Sequence, residues 1–595
     1  MREITVPPAH SVPPTENLTD AVWANAEQAP EQVVFSRPVD TTWFDVTARA
    51  FADQVRALAK GLIAAGVGRG DRIGLMSRTR YEWTLVDYAI WAAGAVTVPV
   101  YETSSPEQVA WMLGDSAACA VVVETPTHAA TVAQVRDRLP DLHSAWVLDE
   151  GAVESLIAAG ADVPDGAVQQ RHGAITGADL ATIIYTSGTT GRPKGCELSH
   201  GNLLAEVYEA GSGFPQLLSD SSTLLFLPLA HVLGRVIQCI AVQFRVRVGH
   251  TADTQNLLPD LASFRPTFLL SVPRVFEKVY NGAKQRAHDE GKGAIFDRAE
   301  RVAVAYSESL DRGGPGLALR MEHAVLDRLV YARLRAALGG RCTAAISGGA
   351  PLGNRLAHFF RGIGLTVYEG YGLTETSAAA AVNFEQDPRL GTVGRPVPGT
   401  SARIADDGEI LLKGDIVFTR YWRNAPATDE ALEPGGWFHT GDIGQLDDDG
   451  YLTITGRKKE ILVTAGGKNV APGVLEDRLR AHPLISQCMV VGDAQPFIAA
   501  LITIDPEALP GWNAKHGKPA GATAAELTDD TDLRAEIQSA IDDANRAVSR
   551  AESIRKFRIL GADFTEESGE LTPSLKIKRN VVIKQYADEV AAIYA

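Results

Sequence analysis

The chain has 595 residues, 45% of them apolar and 22% charged, which is typical of a globular protein too long for one hydrophobic core. Its net charge of −16 argues against nucleic acid as a partner. Five scattered cysteines without a C-x-x-C pair indicate a reduced compartment, with neither disulfides nor a zinc site. Residues 1–20 contain no apolar run, so we expect a loose arm, no signal peptide and a cytoplasmic protein.

Strands and helices alternate along most of the chain. Helices are predicted at 81–93 and 107–113, and buried strands at 72–76, 96–100, 118–123, 181–185, 224–227, 267–271, 343–347 and 366–369. This alternation is typical of α/β proteins, whose parallel sheets are covered by helices on both faces. Ligands gather at the carboxyl ends of such strands, so the turns that follow them should converge on one crevice.

From about residue 390 the pattern changes. Asp-Asp-Gly at 406–408 and 448–450, and Pro-Gly-Gly at 434–436, are hairpin signals that predict a β-rich subdomain over about 390–456. A glycine and charge cluster, Gly-Arg-Lys-Lys at 456–459, then indicates a boundary. We therefore expect an N-terminal domain over 1–456 and a smaller α+β domain over 457–595.

The strand at 181–185 leads into Tyr185-Thr-Ser-Gly-Thr-Thr-Gly-Arg-Pro-Lys-Gly195. Its glycines allow backbone N–H groups to approach a ligand closely, its hydroxyls are donors, and Lys194 adds a mobile positive charge. Many donors, one cation and no carboxylate suit a polyphosphate. The glycine spacing differs from that of the P-loop, and no Ser or Thr follows Lys194.

This string closely resembles the phosphate-loop signature of the adenylate-forming superfamily. Three further stretches resemble its other nucleotide motifs in the same order: Ser347-Gly-Gly-Ala350, Tyr371-Gly-Leu-Thr-Glu-Thr-Ser377 and His439-Thr-Gly-Asp442. The match spans about residues 45–585. The stretches 271–278, 464–469 and 571–576 resemble the long-chain acyl-CoA synthetase branch.

The resemblance implies roles for individual residues. Tyr371 would stack near adenine, Thr374 would contact the α-phosphate, and Glu375 would hold Mg²⁺. Asp442 and Arg457 would bind the ribose. The ATP-binding residues implied are Thr186, Ser187, Gly188, Thr189, Thr190, Gly191, Lys194, Gly349, Ala350, Tyr371, Gly372, Asp442 and Arg457.

The resemblance also implies roles outside the nucleotide motifs. His231, in Leu-Pro-Leu-Ala-His, would line the acyl pocket, and Lys459 would be the hinge of a mobile C-terminal domain. Many relatives carry Asp at that hinge position, although lysine is also found. Gly466, Gly467 and Lys468 would bind coenzyme A.

A catalytic lysine is implied near the C-terminus, together with Thr374 and Glu375. The family lysine usually follows a glycine, whereas Leu575 precedes Lys576 here, so Lys578 stays open as the alternative. Lys576 is preferred because apolar Leu575 and Ile577 would hold the segment while its side chain projects to the opposite side.

The function implied is activation of a long-chain fatty acid by ATP, with acyl-AMP as intermediate and transfer to coenzyme A. The alternative is a fatty acyl-AMP ligase that delivers the acyl group to a carrier protein. A non-enzymatic relative would be expected to lack Lys194, Glu375, Asp442 or Lys576, and all four are present.

The stretch 298–341 is arginine-rich and predicted to be helical. It leaves two interpretations open: a peripheral contact with the inner membrane face, or a solvated surface. Interleaved Glu300, Glu322 and Asp327 favour the solvated surface. Chain length of the acyl group and oligomeric state do not follow from the sequence.

Overall fold

The structure, a computed structural model, describes residues 1–39, 42–186, 192–253, 256–519, 521–572 and 576–595. The strands are β1 Glu3–Thr5, β2 Val33–Val39, β3 Thr42–Thr47, β4 Arg72–Met76, β5 Val96–Val100, β6 Ala120–Val123, β7 Ser144–Val147, β8 Leu180–Thr186, β9 Lys194–Ser199, β10 Ser222–Leu225, β11 Arg247–His250, β12 Phe268–Ser271, β13 Ala344–Ser347, β14 Thr366–Tyr371, β15 Ala381–Val382, β16 Arg395–Pro396, β17 Thr400–Ile404, β18 Glu409–Gly414, β19 Arg420–Tyr421, β20 Phe438–Leu446, β21 Leu452–Arg457, β22 Leu462–Val463, β23 Asn469–Val470, β24 Ile485–Val491, β25 Ile498–Ile504 and β26 Ile554–Ile559.

The α-helices alternate with these strands and cover the sheets. They are α1 Asp20–Gln28, α2 Ala48–Ala64, α3 Tyr81–Ala92, α4 Pro106–Asp115, α5 Pro126–Ala133, α6 Ala152–Ala159, α7 Asp165–His172, α8 His200–Ser212, α9 Pro215–Leu218, α10 Val232–Gln243, α11 Leu257–Phe264, α12 Pro273–Asp289, α13 Gly293–Leu310, α14 Leu317–Leu326, α15 Ala332–Ala337, α16 Asn354–Gly362, α17 Ala425–Ala431, α18 Pro472–Arg480, α19 Leu509–Lys515, α20 Ala524–Leu527, α21 Thr531–Asn545, α22 Arg579–Gln585 and α23 Ala587–Tyr594. Within the described ranges, no helix is long and apolar enough to cross a bilayer.

Two large sheets form the N-terminal body. In the described residues one has the order β19-β9-β8-β5-β4-β6-β7 and the other β16-β15-β14-β13-β12-β10-β11-β2-β3. The central pairs are parallel in both, from β8 to β7 and from β14 to β2, apart from antiparallel edges. Strand β6 is buried at all four residues, as expected of a strand covered on both faces. The predicted α/β fold class is confirmed.

Every strand predicted in this body is present, with its ends within two residues of the prediction. Strand β10 is shifted by two residues at both ends, to Ser222–Leu225. The Leu227 carbonyl instead accepts a hydrogen bond from the Thr79 hydroxyl at 2.7 Å. Pro228 follows and has no N–H group to continue a ladder. The stretch 298–341 is helical but interrupted at 311–316, between α13 and α14.

A buried ion pair joins helices α3 and α10, and its arginine also contacts Thr182 of β8. The Arg235 guanidinium of α10 pairs with the Asp87 carboxylate of α3, and both side chains are at most 1% exposed. Thr97 and Gln238 also donate to Asp87. A buried pair of this kind is stable only while each charge keeps its partners, so it holds α3 and α10 in one relative position.

The N-terminal arm is not loose, contrary to the sequence-based prediction. Residues Glu3–Thr5 pair antiparallel with β17 at Ser401–Arg403, at the edge of a sheet of order β1-β17-β18-β20-β21 in the described residues. This antiparallel sheet is the β-rich part after residue 400. No pattern in the first residues predicts the pairing, because a three-residue strand is too short to show alternation.

The last part of the chain has a core of its own. Its buried apolar residues begin at Leu462, whereas the large cluster of the body ends at Leu452. Helix α12 of the body meets this part through ion pairs: Lys278 to Glu507 at 2.9 Å, Asp289 to Lys515 at 3.6 Å and Arg274 to Asp505 at 3.7 Å. The contact between the two parts therefore includes partly exposed charges.

Candidate active site

The glycine-rich stretch begins on β8, at the carboxyl end of the first sheet. Strands β8 and β9 form an antiparallel hairpin in which Thr186 lies opposite Lys194. The Lys194 ammonium lies 4.9 Å from the centroid of the Tyr421 ring, whose electron-rich face attracts a cation. Of the predicted loop residues, Ser187, Gly188, Thr189, Thr190 and Gly191 lie outside the described ranges.

A second turn leaves β14 at Tyr371 and forms a 3₁₀ helix over Thr374–Thr376. Gly372 is required sterically, because a Cβ built there would lie 1.5 Å from the Ala378 carbonyl oxygen. Ala378 itself has φ 128°, in a region that residues other than glycine rarely adopt. The tight packing of this turn places Thr374 and Glu375 at a defined position.

Two residues that the sequence analysis missed support this turn. The Tyr421 hydroxyl donates to Glu375 Oε1 at 2.8 Å, and Glu206 of α8 accepts from the Ala379 N–H at 2.8 Å. Burial raises the pKa of Glu206 well above its ordinary value, and the Ala379 N–H opposes that shift. Neither residue stands in a recognisable motif, and an isolated tyrosine or helical glutamate carries no signal of its own.

Asp442 lies where three elements meet. Its Oδ2 accepts from the Tyr371 hydroxyl at 2.7 Å, and its Oδ1 lies 3.0 Å from Arg457 Nε. Asp442 and Arg457 are direct partners in the β20–β21 ladder. Burial raises the pKa of Asp442, while Arg457 and Tyr371 oppose the shift. Three of the predicted ATP-binding residues thus form one group, joined by a hydrogen bond and an ion pair.

The turn after β13 lies beside this group in the second sheet. Gly349 has φ +83°, a conformation that favours glycine, and both Gly349 and Ala350 are exposed. Ser347 lies opposite Glu369 of β14, two residues before Tyr371. The two turns therefore open at the same edge of the sheet.

His231 caps the N-terminus of α10. Its Nδ1 accepts from the Leu233 N–H at 3.2 Å. Burial lowers the pKa of His231 to about 4, and the charge of Lys576 contributes in the same direction. The imidazole is therefore neutral at pH 7, and it is close enough to Lys576 of the C-terminal part to be affected by its charge.

Lys576 is hydrogen-bonded to Thr572 in the C-terminal part. Its N–H donates to the Thr572 hydroxyl at 3.0 Å, and its carbonyl accepts from the Thr572 N–H at 2.8 Å. Burial lowers the pKa of Lys576, as does nearby Arg457, whereas Asp442, Glu460 and Glu375 raise it. Lys576 is nevertheless exposed, and its charge is influenced by Asp442 and Arg457 of the predicted nucleotide site.

Lys578 has different surroundings. Its N–H donates to the Glu570 carbonyl at 2.7 Å and its carbonyl accepts from the Val581 N–H at 2.9 Å, at the start of α22. The intervening Ile577 forms an antiparallel bridge with Leu571 and packs against the C-terminal core. The described contacts favour Lys576 as the lysine that faces the crevice.

The predicted hinge lies beside an anchored residue. Lys458 makes ion pairs with Asp407 at 2.6 Å and Glu409 at 3.0 Å, both in the β-rich sheet region. Lys459 follows it in the 3₁₀ helix Lys458–Glu460, and its side chain is exposed.

The predicted coenzyme A residues Gly466, Gly467 and Lys468 are exposed in the turn between β22 and β23. Lys468 pairs with Glu552 at 3.3 Å, and the Ala465 N–H donates to the Gln495 carbonyl. These contacts are with the C-terminal part itself, so the structure does not bring this turn into the crevice around Asp442.

Glu375 is the residue that the sequence predicts to hold Mg²⁺. In the part of the chain that the structure describes, no three His, Cys, Asp or Glu side chains are grouped to hold a metal. A single carboxylate fits Mg²⁺, which keeps several waters and binds through one or two carboxylates plus substrate phosphates. The site fits a cation that arrives with a polyphosphate.

Two protein-family models match this chain. Residues 22–422 match the model "AMP-binding enzyme", and residues 459–595 match "AMP-binding enzyme C-terminal domain". The chain belongs to the AMP-binding enzyme family. The predicted superfamily is confirmed by these matches.

Known relatives of this AMP-binding enzyme resemble it over its whole length. It is 57% identical to long-chain-fatty-acid–CoA ligase FadD15 of Mycobacterium bovis and 56% to FadD15 of Mycobacterium tuberculosis, each over 100% of both chains. Among solved structures, the anthranilate CoA ligase AuaEII in complex with anthranoyl-AMP has a TM-score of 0.73 at 19% identity, covering 98% of this chain and 99% of that one. At 19% identity, this structural similarity supports the fold of the chain and not its function.

Substitution of Gly372 tests the packing of the second turn. We expect Gly372→Ala to displace the turn, because its new methyl group would overlap the Ala378 carbonyl. Loss of one hydrogen bond to a charged phosphate costs ~1.5–3 kcal/mol, so affinity for AMP should fall about tenfold or more. Calorimetric titration with AMP measures this change.

The matched control is Gly166→Ala, in α7, where a Cβ would meet no atom within 4 Å. It should bind AMP as the unchanged protein does. Equal affinities of the two variants would contradict a steric requirement for glycine at position 372.

Proposed function

We propose that this AMP-binding enzyme is an ATP-dependent long-chain fatty acid–CoA ligase. The observation that carries the proposal is the group formed by Tyr371, Asp442 and Arg457, whose charges also influence Lys576 of the C-terminal part. Whole-chain identity of 57% to a long-chain-fatty-acid–CoA ligase supports the substrate class. ATP and coenzyme A are then the co-substrates.

The reaction proceeds in two steps because a carboxylate is a poor electrophile. A carboxylate oxygen of the fatty acid attacks the α-phosphorus of ATP, the bond to the β,γ-phosphates breaks, and pyrophosphate leaves. The coenzyme A sulfur then attacks the acyl carbon of acyl-AMP, and AMP leaves as the bond to its phosphate oxygen breaks. The thiol proton passes to solvent.

The nucleotide is positioned by groups that hold one another. Asp442 would accept from the ribose hydroxyls through lone pairs that Tyr371 and Arg457 leave free. The turn of Gly349 and Ala350 would leave room for adenine beside Tyr371. Positioning of this kind supplies much of the rate enhancement in phosphoryl transfer.

Charge that develops around the α-phosphorus needs cations and donors close by. Thr374 would donate to the α-phosphate, Lys194 would contact the phosphates, and Glu375 would hold Mg²⁺, which supplies further positive charge when bound. Lys576 would contribute an ammonium group between carboxylate and phosphate. A long flexible side chain suits a group that enters and leaves the site.

The thioester step requires a different group beside the acyl carbon. We infer domains over 1–456 and 457–595, joined at a hinge at Lys459. The separate apolar cores and the family matches on either side of this position support that division. Rotation about the hinge would remove Lys576 and bring in the exposed turn of Gly466, Gly467 and Lys468.

Glu375→Gln tests the metal assignment. The variant should fold normally but lose most adenylation, since removal of one transition-state charge partner costs ~2.7–4 kcal/mol, or about 10²–10³-fold in rate. Pyrophosphate release from oleate and ATP measures it. The control is Glu430→Gln, because Glu430 is exposed. A near-normal rate of pyrophosphate release by Glu375→Gln would contradict the assignment of Glu375 to Mg²⁺.

The two C-terminal lysines are separated by assaying each step alone. Lys576→Ala should lose about 10²–10³-fold in acyl-AMP formation, because the cation beside the α-phosphate is gone. It should still convert supplied acyl-AMP and coenzyme A to acyl-CoA. Lys578→Ala should keep both steps, and the reverse pattern would identify Lys578 as the catalytic lysine.

Lys459→Pro tests the hinge. Proline fixes φ near −65°, a value that a 3₁₀ turn already uses, so adenylation should remain while thioester formation is blocked. Lys459→Ala keeps φ free and should support both steps. Pyrophosphate and acyl-CoA are measured in parallel, and equal loss of both in Lys459→Pro would argue against a hinge there.

A further inference from the structure

A continuous helical segment on the body exposes an unusual amount of apolar surface. It runs from α14 through a π-helical turn at Asp327–Tyr331 into α15. Four large apolar side chains stand out from it: Leu317 is 75% exposed, Met321 60%, Val325 59% and Leu329 54%. Residues four apart lie on one helical face, so these four form a stripe, here called the apolar stripe. Single exposed apolar residues are ordinary, whereas a contiguous row indicates an interaction surface.

The opposite side of the same segment is packed against the body. Leu326 is 5% exposed and Tyr331 is fully buried, with its hydroxyl donating to the Ala299 carbonyl at 2.7 Å. His323 Nε2 lies 2.6 Å from the Gly362 carbonyl oxygen and its ring stacks on Tyr306. The segment is therefore held in place with the apolar stripe facing outward, and the stripe is not an unpacked core.

Positive charge accompanies the apolar stripe. Arg320, Arg328 and Arg333 are exposed on the same segment, and none of them takes part in an ion pair within the described residues. The nearby carboxylates are already paired, Glu322 with Arg298 at 2.7 Å and Asp327 with Arg335 at 2.6 Å. An acidic protein of net charge −16 thus presents a locally basic, apolar surface here.

We propose that the apolar stripe docks on an anionic lipid bilayer. The segment would lie in the plane of the interface, with Leu317, Met321, Val325 and Leu329 among the acyl chains. Arg320, Arg328 and Arg333 would contact lipid phosphates. The remaining acidic surface is repelled by the same bilayer, so the protein binds in one orientation.

Charge argues against a second copy of the chain as the occupant. Two copies that packed stripe to stripe would bring the same three arginines together, and like charges in an interface are unfavourable. A bilayer with anionic headgroups offers the opposite charge together with apolar depth. Docking would place the enzyme at the phase in which a long-chain acid dissolves, a use that rests on the proposed function, whereas binding itself does not.

Vesicle flotation with the full-length protein tests the proposal. The probes are vesicles of phosphatidylcholine and phosphatidylglycerol in equal parts, and vesicles of phosphatidylcholine alone. The protein should float with the anionic vesicles, less at high salt, and weakly with the neutral ones. Arg320→Glu/Arg328→Glu should weaken binding about fivefold or more for each arginine, and Leu317→Ser/Val325→Ser should weaken it about tenfold or more.

Matched controls lie elsewhere on the surface. Phe44 is 55% exposed in β3, so Phe44→Ser removes an exposed apolar group outside the stripe. Arg550 is exposed in the C-terminal part, so Arg550→Glu makes the same charge change per residue at a distant place. Both should bind the anionic vesicles as the unchanged protein does, and all variants should keep their melting temperature.

Three outcomes would overturn the proposal. One is the absence of flotation with either kind of vesicle, and another is equal binding by the stripe variants and the controls. The third is a concentration-dependent dimer in sedimentation velocity that Leu317→Ser/Val325→Ser abolishes, since the stripe would then serve self-association. Flotation measures binding and does not depend on catalysis. A protein that binds vesicles but makes no acyl-CoA would therefore contradict the proposed function and still support the docking surface.

Discussion

The buried carboxylate of Asp442 is the constraint on which the site depends. A buried charge is stable only when donors or opposite charges surround it, and here they come from the end of β14 and from β21. Tyr371 is therefore bound to the β-rich sheet, and Arg457 is held one residue before the anchored Lys458. The same carboxylate attracts Lys576 from the C-terminal part. One carboxylate thus holds the edge of the second sheet and Arg457 together, beside the proposed hinge.

Two kinds of ion pair serve different purposes in the molecule. Asp87 and Arg235 are buried, and loss of either partner would leave an unpaired charge in the core. The pairs between α12 and the C-terminal part are partly or largely exposed, as for Lys278 and Glu507 at 69% and 70%. Exposed pairs contribute about 0–1 kcal/mol each. A contact built from such pairs is easily separated and formed again, which suits a domain that is proposed to rotate.

Much of the fold followed from the sequence because its strands are short apolar runs with polar or glycine-rich turns after them. That pattern lies within each strand and the turn after it. It predicted the ends of β4, β5, β13 and β14 to within two residues. The nucleotide turns were identifiable for the same reason, since their glycines serve the backbone conformation of the turn itself. Gly372 and Gly349 are examples.

What the sequence could not reveal depends on contacts between distant residues. Tyr421 meets Glu375 across 46 positions, and Glu206 meets Ala379 across 173. Neither leaves a periodic or spaced signal. The choice between Lys576 and Lys578 was likewise open in the sequence, because both project to the same side of an extended segment. In the structure the bridge of Ile577 to Leu571 precedes the turn into α22, which gives the two lysines different surroundings.

The short strand β1 has a consequence for the colloidal behaviour of the protein. It covers the outer side of β17, which would otherwise present unpaired N–H and C=O groups at the rim of the sheet that carries Asp442. Unpaired edge strands of this kind pair with strands from other molecules, and this pairing starts aggregation. A short terminal segment that contributes little to the hydrophobic core therefore protects the sheet from self-templated association.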